Sequence, residues 1–379
     1  MTQFFAPCPR GLETALCDEL KEIGALDVES AEGGVGFSGN MGTAYRANLE
    51  SRIASRILWK ILECPYSGEN DLYQSTLGIA WEKWFSPDHT LKVVMTATRS
   101  RLNSLDFATL RIKDAICDRF RKSCGRRPSI ATAAPDIRVH AYLTAKDFSL
   151  YVDTSGEALF KRGARQSSVD APLRENLAAG ILRLSGWTPD QPFLDPMCGS
   201  GTFLIEAARI ALDIAPGSGR HFAFEKLSNF DPSLWQSIRN ASLDKRKPVA
   251  PLAIYGSDIL GRAVETARSN LASIGLDGAV SLKQANFLEL PAPADHGVIV
   301  TNPPYGVRIG EEESLAEFYP LLGDALKKKY AGWRAFFLSA DMRLPKLIRL
   351  SVSRRTPLYN GALECRLFEY RMVSGGMRA

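Results

Sequence analysis

Beyond about residue 165 the chain alternates between short apolar runs and stretches with helical spacing. "PFLD", "LAIYGSD", "AVSLKQAN", "GVIVTN" and "WRAFFLSA" read as strands. "APLRENLAAGILRLSG", "GTFLIEAARIALDIA", "GRAVETARSNLASIG" and a segment near 313–330 read as helices. Runs that are apolar throughout leave no face for water, so their sheet must be parallel and covered by helices on both sides. The last two runs, "TPLYNGA" and "LECRLFEYRMV", join through Asn360-Gly361, a pair that favours a tight hairpin. The pattern predicts an α/β fold of seven strands closed by that antiparallel hairpin.

The first 155 residues are built differently. "QFFAPC" reads as a strand, and "RGLETALCDELKEIGA" as a helix with Leu12, Leu16, Leu20 and Ile23 on one face. "DVESAEGGVGFSGN" gives two strands around a Gly-Gly turn, "MGTAYRANLES" a helix and "RILWKILECPY" a strand. A second set follows: a helix near 70–85, strand "LKVVMTATR", helix "DFATLRIKDAICDRFRKSCG", and strands "IRVHAYLTA" and "FSLYVDTS". This predicts two small α+β units, each with its own sheet, at 1–65 and 66–155. A linker over 156–170 then leads into the α/β domain at 171–379. A chain of 379 residues exceeds a single core, which agrees with several domains. The two small units offer no sizeable cleft, so they are expected to bind and position. Between about 214 and 250 the sequence is aromatic but aperiodic, and reads as an excursion from the sheet, either a lid or an inert insertion.

Charge is distributed unevenly on a net of +5. Residues 1–155 hold 19 basic and 19 acidic side chains, yet residues 99–127 hold nine Lys/Arg against three Asp. Residues 343–355 hold five basic groups and no acid. Such clusters suit either a polyanion footprint or a solvated helix face. The seven cysteines are scattered without a CxxC pair, and with four His this argues against a metal site. No apolar run approaches the roughly 18 residues of a membrane span, and the first residues lack a basic region before an apolar one. A cytoplasmic protein without a membrane partner is expected.

"FLDPMCGSGTFLIEAA" is a strand, a turn and a helix. Gly199 and Gly201 allow close backbone approach and leave N–H groups exposed at the helix start. Neither a Walker A Lys nor the third Gly of a dinucleotide loop is present. Asp195 at the strand end followed by two glycines suits a ligand with an amino acid moiety, whose ammonium the carboxylate takes. Asp258 ends strand "IYGSD", where an acid holds two ribose hydroxyls or, alternatively, caps the following helix. Asn286 and Phe287 follow the next strand, placed to accept from an adenine amine and to stack on its ring, or simply to end the strand.

"VIVTNPPYG" is a buried strand that two prolines stop. Asn302 offers a side-chain carbonyl and Pro303 a main-chain carbonyl held rigid beside Pro304, while Tyr305 offers a ring. Two acceptors and a stacking face match a planar base bearing an exocyclic amine, guanine or adenine. Catalysis would be positioning of that amine toward an electrophilic methyl.

"DPMCGSGT" with "TNPPYG" resembles the class I S-adenosylmethionine-dependent methyltransferases of amino groups in nucleic acids. "YVDTSGEALFKRGAR" and "APLRENLAAGIL" ahead of that sheet are similar to the THUMP-domain RNA methyltransferases. The likeness is greatest to the RlmL-type enzymes that form N2-methylguanosine in large-subunit (23S) ribosomal RNA. The resemblance implies a Rossmann-like seven-stranded methyltransferase domain behind ferredoxin-like and THUMP modules. It implies that S-adenosylmethionine lies on Asp195, Pro196, Cys198, Gly199, Gly201 and Thr202, on Asp258 and Ile259, and on Asn286 and Phe287. Asn302, Pro303, Pro304 and Tyr305 would hold the base. Many relatives carry Asp where this chain has Asn286, so that hydrogen bond loses charge assistance.

The same resemblance implies that the N-terminal modules bind RNA, which suits the basic segment 99–127; Arg99, Arg101, Arg119, Arg121, Lys122, Arg126 and Arg127 are its candidate contacts, and a monomer is expected. Three rivals share part of the pattern: an adenine-N6 methyltransferase, a tRNA guanine-N2 enzyme, and an RNA-binding assembly factor without catalysis.

Overall fold

The structure, a computed structural model, describes residues 1–163, 173–303 and 311–373, the side chains of 311–315 excepted. Two compact units form. One comprises Met1–Pro7, Cys17–Leu159 and Gly217–Ala241; the other comprises Cys8–Leu16, Phe160–Pro216 and Ser242–Ala379. The N-terminal elements are β1 (Thr2–Pro7), α1 (Glu13–Ile23), β2 (Leu26–Ala31), β3 (Gly34–Gly39), α2 (Met41–Glu50) and β4 (Leu58–Pro65). There follow α3 (Glu69–Leu77), β5 (Leu91–Ala97), α4 (Leu105–Cys124), β6 (Ile137–Leu143) and β7 (Asp147–Asp153).

The expectation of two small sheets is corrected. All seven N-terminal strands belong to one sheet, in the order β2-β3-β1-β4-β7-β6-β5. Strand β4 pairs antiparallel with β1 through Leu58 and Trp59, and with β7 from Leu58↔Asp153 to Pro65↔Asp147. Left as the edge of a smaller sheet, β4 would present a row of unpaired N–H and C=O groups. Alternation sets the faces: Ile137, Val139, Ala141 and Leu143 are buried, whereas Arg138, His140 and Tyr142 between them are not. Helix α4 begins at Ser104, whose hydroxyl accepts the Phe107 N–H at 3.1 Å, and stops at Gly125 with φ +72°.

The stretch read as a lid or inert insertion is neither within residues 217–241. Phe222, Phe224 and Trp235 are buried in the first unit, with the Phe224 ring 4.4 Å from Tyr45 and 5.0 Å from Trp235. The Asp231 N–H donates to Tyr45 Oη at 3.1 Å. Its aromatic residues have no periodicity because they pack as a cluster, not as one face of an element.

The second half runs α5 (Glu175–Ser185), β8 (Phe193–Asp195), α6 (Thr202–Ala211), α7 (Pro232–Asp244), β9 (Ile254–Asp258), α8 (Gly261–Ala272) and β10 (Ser281–Gln284). It continues with β11 (Gly297–Thr301), α9 (Glu311–Lys329), β12 (Trp333–Ser339), α10 (Leu344–Leu347), β13 (Arg354–Asn360) and β14 (Leu363–Arg371). The strand order is β10-β9-β8-β11-β12-β14-β13, with β10 to β12 parallel and the last two strands a hairpin, as predicted. All five residues of β11 are buried, since helices cover both faces of a central parallel strand. Ile299, Phe337 and Phe368 pack with Leu322 and Leu326 of α9 in this core.

Candidate active site

From β8 the strand order proceeds to β9 on one side and to β11 on the other, so β8 and β11 flank the switch point of the sheet. In open parallel sheets ligands bind at the carboxyl ends of the strands beside that point. Asp195, Asp258, Asn286 and Asn302 all lie at those ends.

The Gly-rich turn is held from three sides. Cys198 N–H donates to Ser257 O at 2.9 Å, and Asn270 Nδ2 donates to Ser200 O at 3.1 Å from a fully buried position on α8. Gly199 N–H donates to Asp258 Oδ2 at 3.0 Å, while Leu260 N–H donates to Asp258 Oδ1 at 3.0 Å. Asp258 therefore does not cap α8, whose N-cap is Leu260; its carboxylate ties the end of β9 to the turn. Gly199 has φ +52° and an added Cβ would meet nothing within 4 Å, so the turn faces open space. Gly201, at φ +83°, sits against Ala267, where a Cβ would come within 3.0 Å.

Asp195 is buried and accepts from Thr301 Oγ1 at 2.8 Å and from Met197 N–H at 3.3 Å. Burial raises its carboxyl to about 7 against the pull of those two donors, with the Asp258 charge adding to the rise. A buried, part-protonated carboxyl at a strand end gains most from a cationic partner, which restores its ionised form. Burial, with Asp195 and Asp258 nearby, pushes the Cys198 thiol well above its usual range, so it stays protonated and is no nucleophile.

One predicted residue is displaced from the site. Phe287 is 3% exposed and lies edge-on to Tyr330, ring centroids 5.4 Å apart, inside the core. It anchors the end of the strand and has no free face for an adenine. Ile259 at 62% and Leu260 at 49% exposure instead place apolar surface beside Asp258. Leu260 was missed because in sequence it reads as the first turn of an amphipathic helix. Asn286 Oδ1 accepts from Leu288 N–H at 3.0 Å, using one lone pair in a local turn. Pro196 and Thr202 lie in and just after the turn, Asn302 is half-buried and Pro303 buried. Pro304 and Tyr305 lie outside the described residues. Thr301 was also missed, since a Thr closing a buried strand looks like any β-branched strand residue.

Of the basic residues predicted to contact RNA, three are engaged with acids. Arg119 pairs with Glu82, with Nε at 3.0 Å; Arg121 pairs with Asp118 at 2.8 Å; and Arg126 pairs with Asp88. Arg99, Arg101, Lys122 and Arg127 are exposed. In the other basic cluster Arg343 forks onto Asp341 with both distances 3.0 Å.

Parallel strands that bring a Gly-rich turn, an acid on the next strand and an Asn-Pro strand end to one edge define the class I methyltransferase site. Residues 162–369 match the family described as "RMKL-like, methyltransferase domain", residues 3–58 the "RlmL ferredoxin-like domain" and residues 66–153 the "THUMP domain". The chain belongs to the RMKL-like methyltransferase family.

It is 39% identical over 370 residues to "Putative RNA methyltransferase slr0064" of Synechocystis, covering 97% of this chain and 96% of that protein. It is 40% identical over 393 residues to "Ribosomal RNA large subunit methyltransferase K/L" of Aeromonas salmonicida, covering 98% of this chain and 54% of that one. The chain thus spans about half the length of the K/L relatives. The crystal structure of SMU.472, complexed with S-adenosylhomocysteine, superposes with a TM-score of 0.90 at 32% identity over 99% of each chain. Among the described residues no helix is long and apolar enough to cross a membrane.

Proposed function

We propose that this chain methylates N2 of guanosine in RNA, in large-subunit ribosomal RNA, with S-adenosylmethionine as donor. The observation that carries the reading is the join between Asp195 and the Asn302 strand end through Thr301. It couples a carboxyl suited to an ammonium with two carbonyls suited to an amine. The residues fit the cofactor: Asp195 for the ammonium, Gly199 and the open space before it for the methionine end, Asp258 for the ribose, and Ile259 and Leu260 for the adenine. When bound, that cofactor supplies an electrophilic methyl group. Asn302 Oδ1 and Pro303 O accept the two amine hydrogens and turn the nitrogen lone pair toward the methyl; the proton leaves afterwards to water. No strong general base is needed, because transfer itself makes the amine acidic.

We also read residues 1–65 and 66–155 as ferredoxin-like and THUMP modules that bring RNA to the domain at 171–379, in the cytoplasm. The named activities of the Synechocystis and Aeromonas relatives support RNA as substrate. The test is to map N2-methylguanosine in ribosomal and transfer RNA from cells lacking the protein. One site in large-subunit RNA should lose the mark and regain it on complementation. Loss only in transfer RNA would move the substrate, and loss only of N6-methyladenosine would replace guanine by adenine.

A further inference from the structure

The outer face of the N-terminal sheet carries a surface that methyl transfer leaves unused. Register places Lys92 beside Arg138, His140 beside Tyr151, and Tyr151 beside Lys60, across the strands β5, β6, β7 and β4. The opposite face of these strands holds the buried Val139, Leu150 and Val152. Arg56, Arg138 and His140 converge on Asp153, whose side chain is 0% exposed while theirs are 20%, 16% and 18%. The anion thus lies beneath, with two guanidinium groups and the His140 imidazole above it. Further along, Phe5 and Tyr151, ring centroids 6.3 Å apart, line a recess of about 390 Å³ with Gln3, Ser38, the acids Asp27 and Glu29, and Lys60, which pairs with Glu63. Gly36 leaves part of its lining bare, since a Cβ there would meet only Glu29 O at 3.9 Å.

We propose that this face binds a single-stranded segment of RNA, one unpaired base entering the recess against Phe5 and Tyr151 and the phosphates following Lys60, His140, Arg138 and Lys92. The proposal rests on the reading of the chain as an RNA methyltransferase and names where its substrate is gripped. Rings stack on any base face, and a recess walled by rings admits a base only when it is unpaired. Gln3, Ser38 and Glu29 offer donors and acceptors to the base edge. Lys60, Lys92 and Arg138 supply the sequence-independent, salt-sensitive part of binding. The row takes one residue from β5, two alternate residues from β6 and one from β4, so it scatters in sequence and does not show as a charge run.

The test uses the full chain and a labelled 12-nucleotide single-stranded oligoribonucleotide of mixed sequence, followed by fluorescence anisotropy. The shift in melting temperature with S-adenosylhomocysteine is read in parallel. Lys60→Glu with Lys92→Glu should weaken oligonucleotide binding by about tenfold or more and flatten its salt dependence. Phe5→Leu, which keeps apolar volume but removes the ring, should weaken it by about fivefold or more. The S-adenosylhomocysteine shift should stay at the parent value in both. Should the charge reversals unfold the protein, Lys60→Gln with Lys92→Gln tests the same row.

Unchanged oligonucleotide affinity in these variants overturns the proposal, as does equal affinity for a duplex of the same length. Loss that follows Arg99→Glu and Arg101→Glu instead moves the RNA to the start of α4 and also overturns it. Failure of the methyltransferase reading looks different: the parent protein would bind the oligonucleotide yet show no shift with S-adenosylhomocysteine.

Discussion

Thr301 Oγ1 donates to Asp195 Oδ1 at 2.8 Å, and both side chains are buried. The two residues end β11 and β8, adjacent parallel strands paired through Val298↔Phe193 and Ile299↔Leu194. The bond fixes the carboxyl proposed to take the cofactor's ammonium to the residue immediately before Asn302. Thr301→Val keeps the shape and removes the donor. Asp195 then titrates still higher, and the pH at which S-adenosylhomocysteine affinity half-declines should move up by about one unit. An unmoved midpoint in a folded variant would make the bond purely structural.

Asp195 itself sets a stability window. Its carboxyl is raised to about 7 by burial, so the folded state favours the protonated form. That contribution is fully present below the ordinary carboxylate range and is lost as pH rises through about 7. Asp195→Asn removes the buried charge. The ligand-free variant should melt a few degrees above the parent at pH 8.5, with the gap closing toward pH 5. S-adenosylhomocysteine affinity should fall by about tenfold or more at pH 8. A melting difference independent of pH would refute the assignment.

Asp258 holds Gly199 N–H and Leu260 N–H, each at 3.0 Å, and its proposed second task is to bind a ribose. Asp258→Ala should weaken S-adenosylhomocysteine binding by about 30-fold or more, read by calorimetry, because the hydrogen bonds that hold Gly199 and Leu260 and the proposed charged contact are lost together. Asp258→Asn, which still accepts the N–H, should fall between. Equal losses in both variants would assign the effect to charge alone.

Asn302→Ala should leave S-adenosylhomocysteine affinity within about twofold and lower kcat by about 100-fold, since the proposed role of its side chain is to accept the amine. Single-turnover transfer to purified large-subunit RNA measures this. If cofactor affinity fell as far as kcat, the residue would belong to the cofactor site and not to base positioning.

Trp235 is buried, lies 5.0 Å from Phe224 at 84°, and packs at 5.9 Å on Tyr45. Trp235→Ala should destabilise the first unit by about 3–5 kcal/mol, seen as a lower denaturation midpoint. S-adenosylhomocysteine affinity should be unaffected under conditions where the variant is folded. A neutral effect would show that residues 217–241 ride on the surface.

The seven-stranded α/β sheet, its closing hairpin and the strand-end positions of Asp195, Asp258, Asn286 and Asn302 were legible in the sequence. Each rests on local patterns: uninterrupted apolar runs for strands covered on both faces, Asn360-Gly361 for the hairpin, glycines and prolines where the backbone must turn or stop. Three features depended on tertiary structure because each is set by a partner far along the chain. The pairing of β4 with β7 joins residues about ninety apart and turns two expected sheets into one. Phe287 reads as a strand-end aromatic, and only the Tyr330 ring beside it shows that it is core. Arg119, Arg121 and Arg126 read as one basic run, yet Glu82, Asp118 and Asp88 pair with them, while Lys60, Lys92, Arg138 and His140, scattered in sequence, gather on one face with Glu63 beside Lys60 and Asp153 beneath Arg138 and His140. Backbone conformation is biased by neighbours in sequence, whereas burial and charge compensation are decided by neighbours in space.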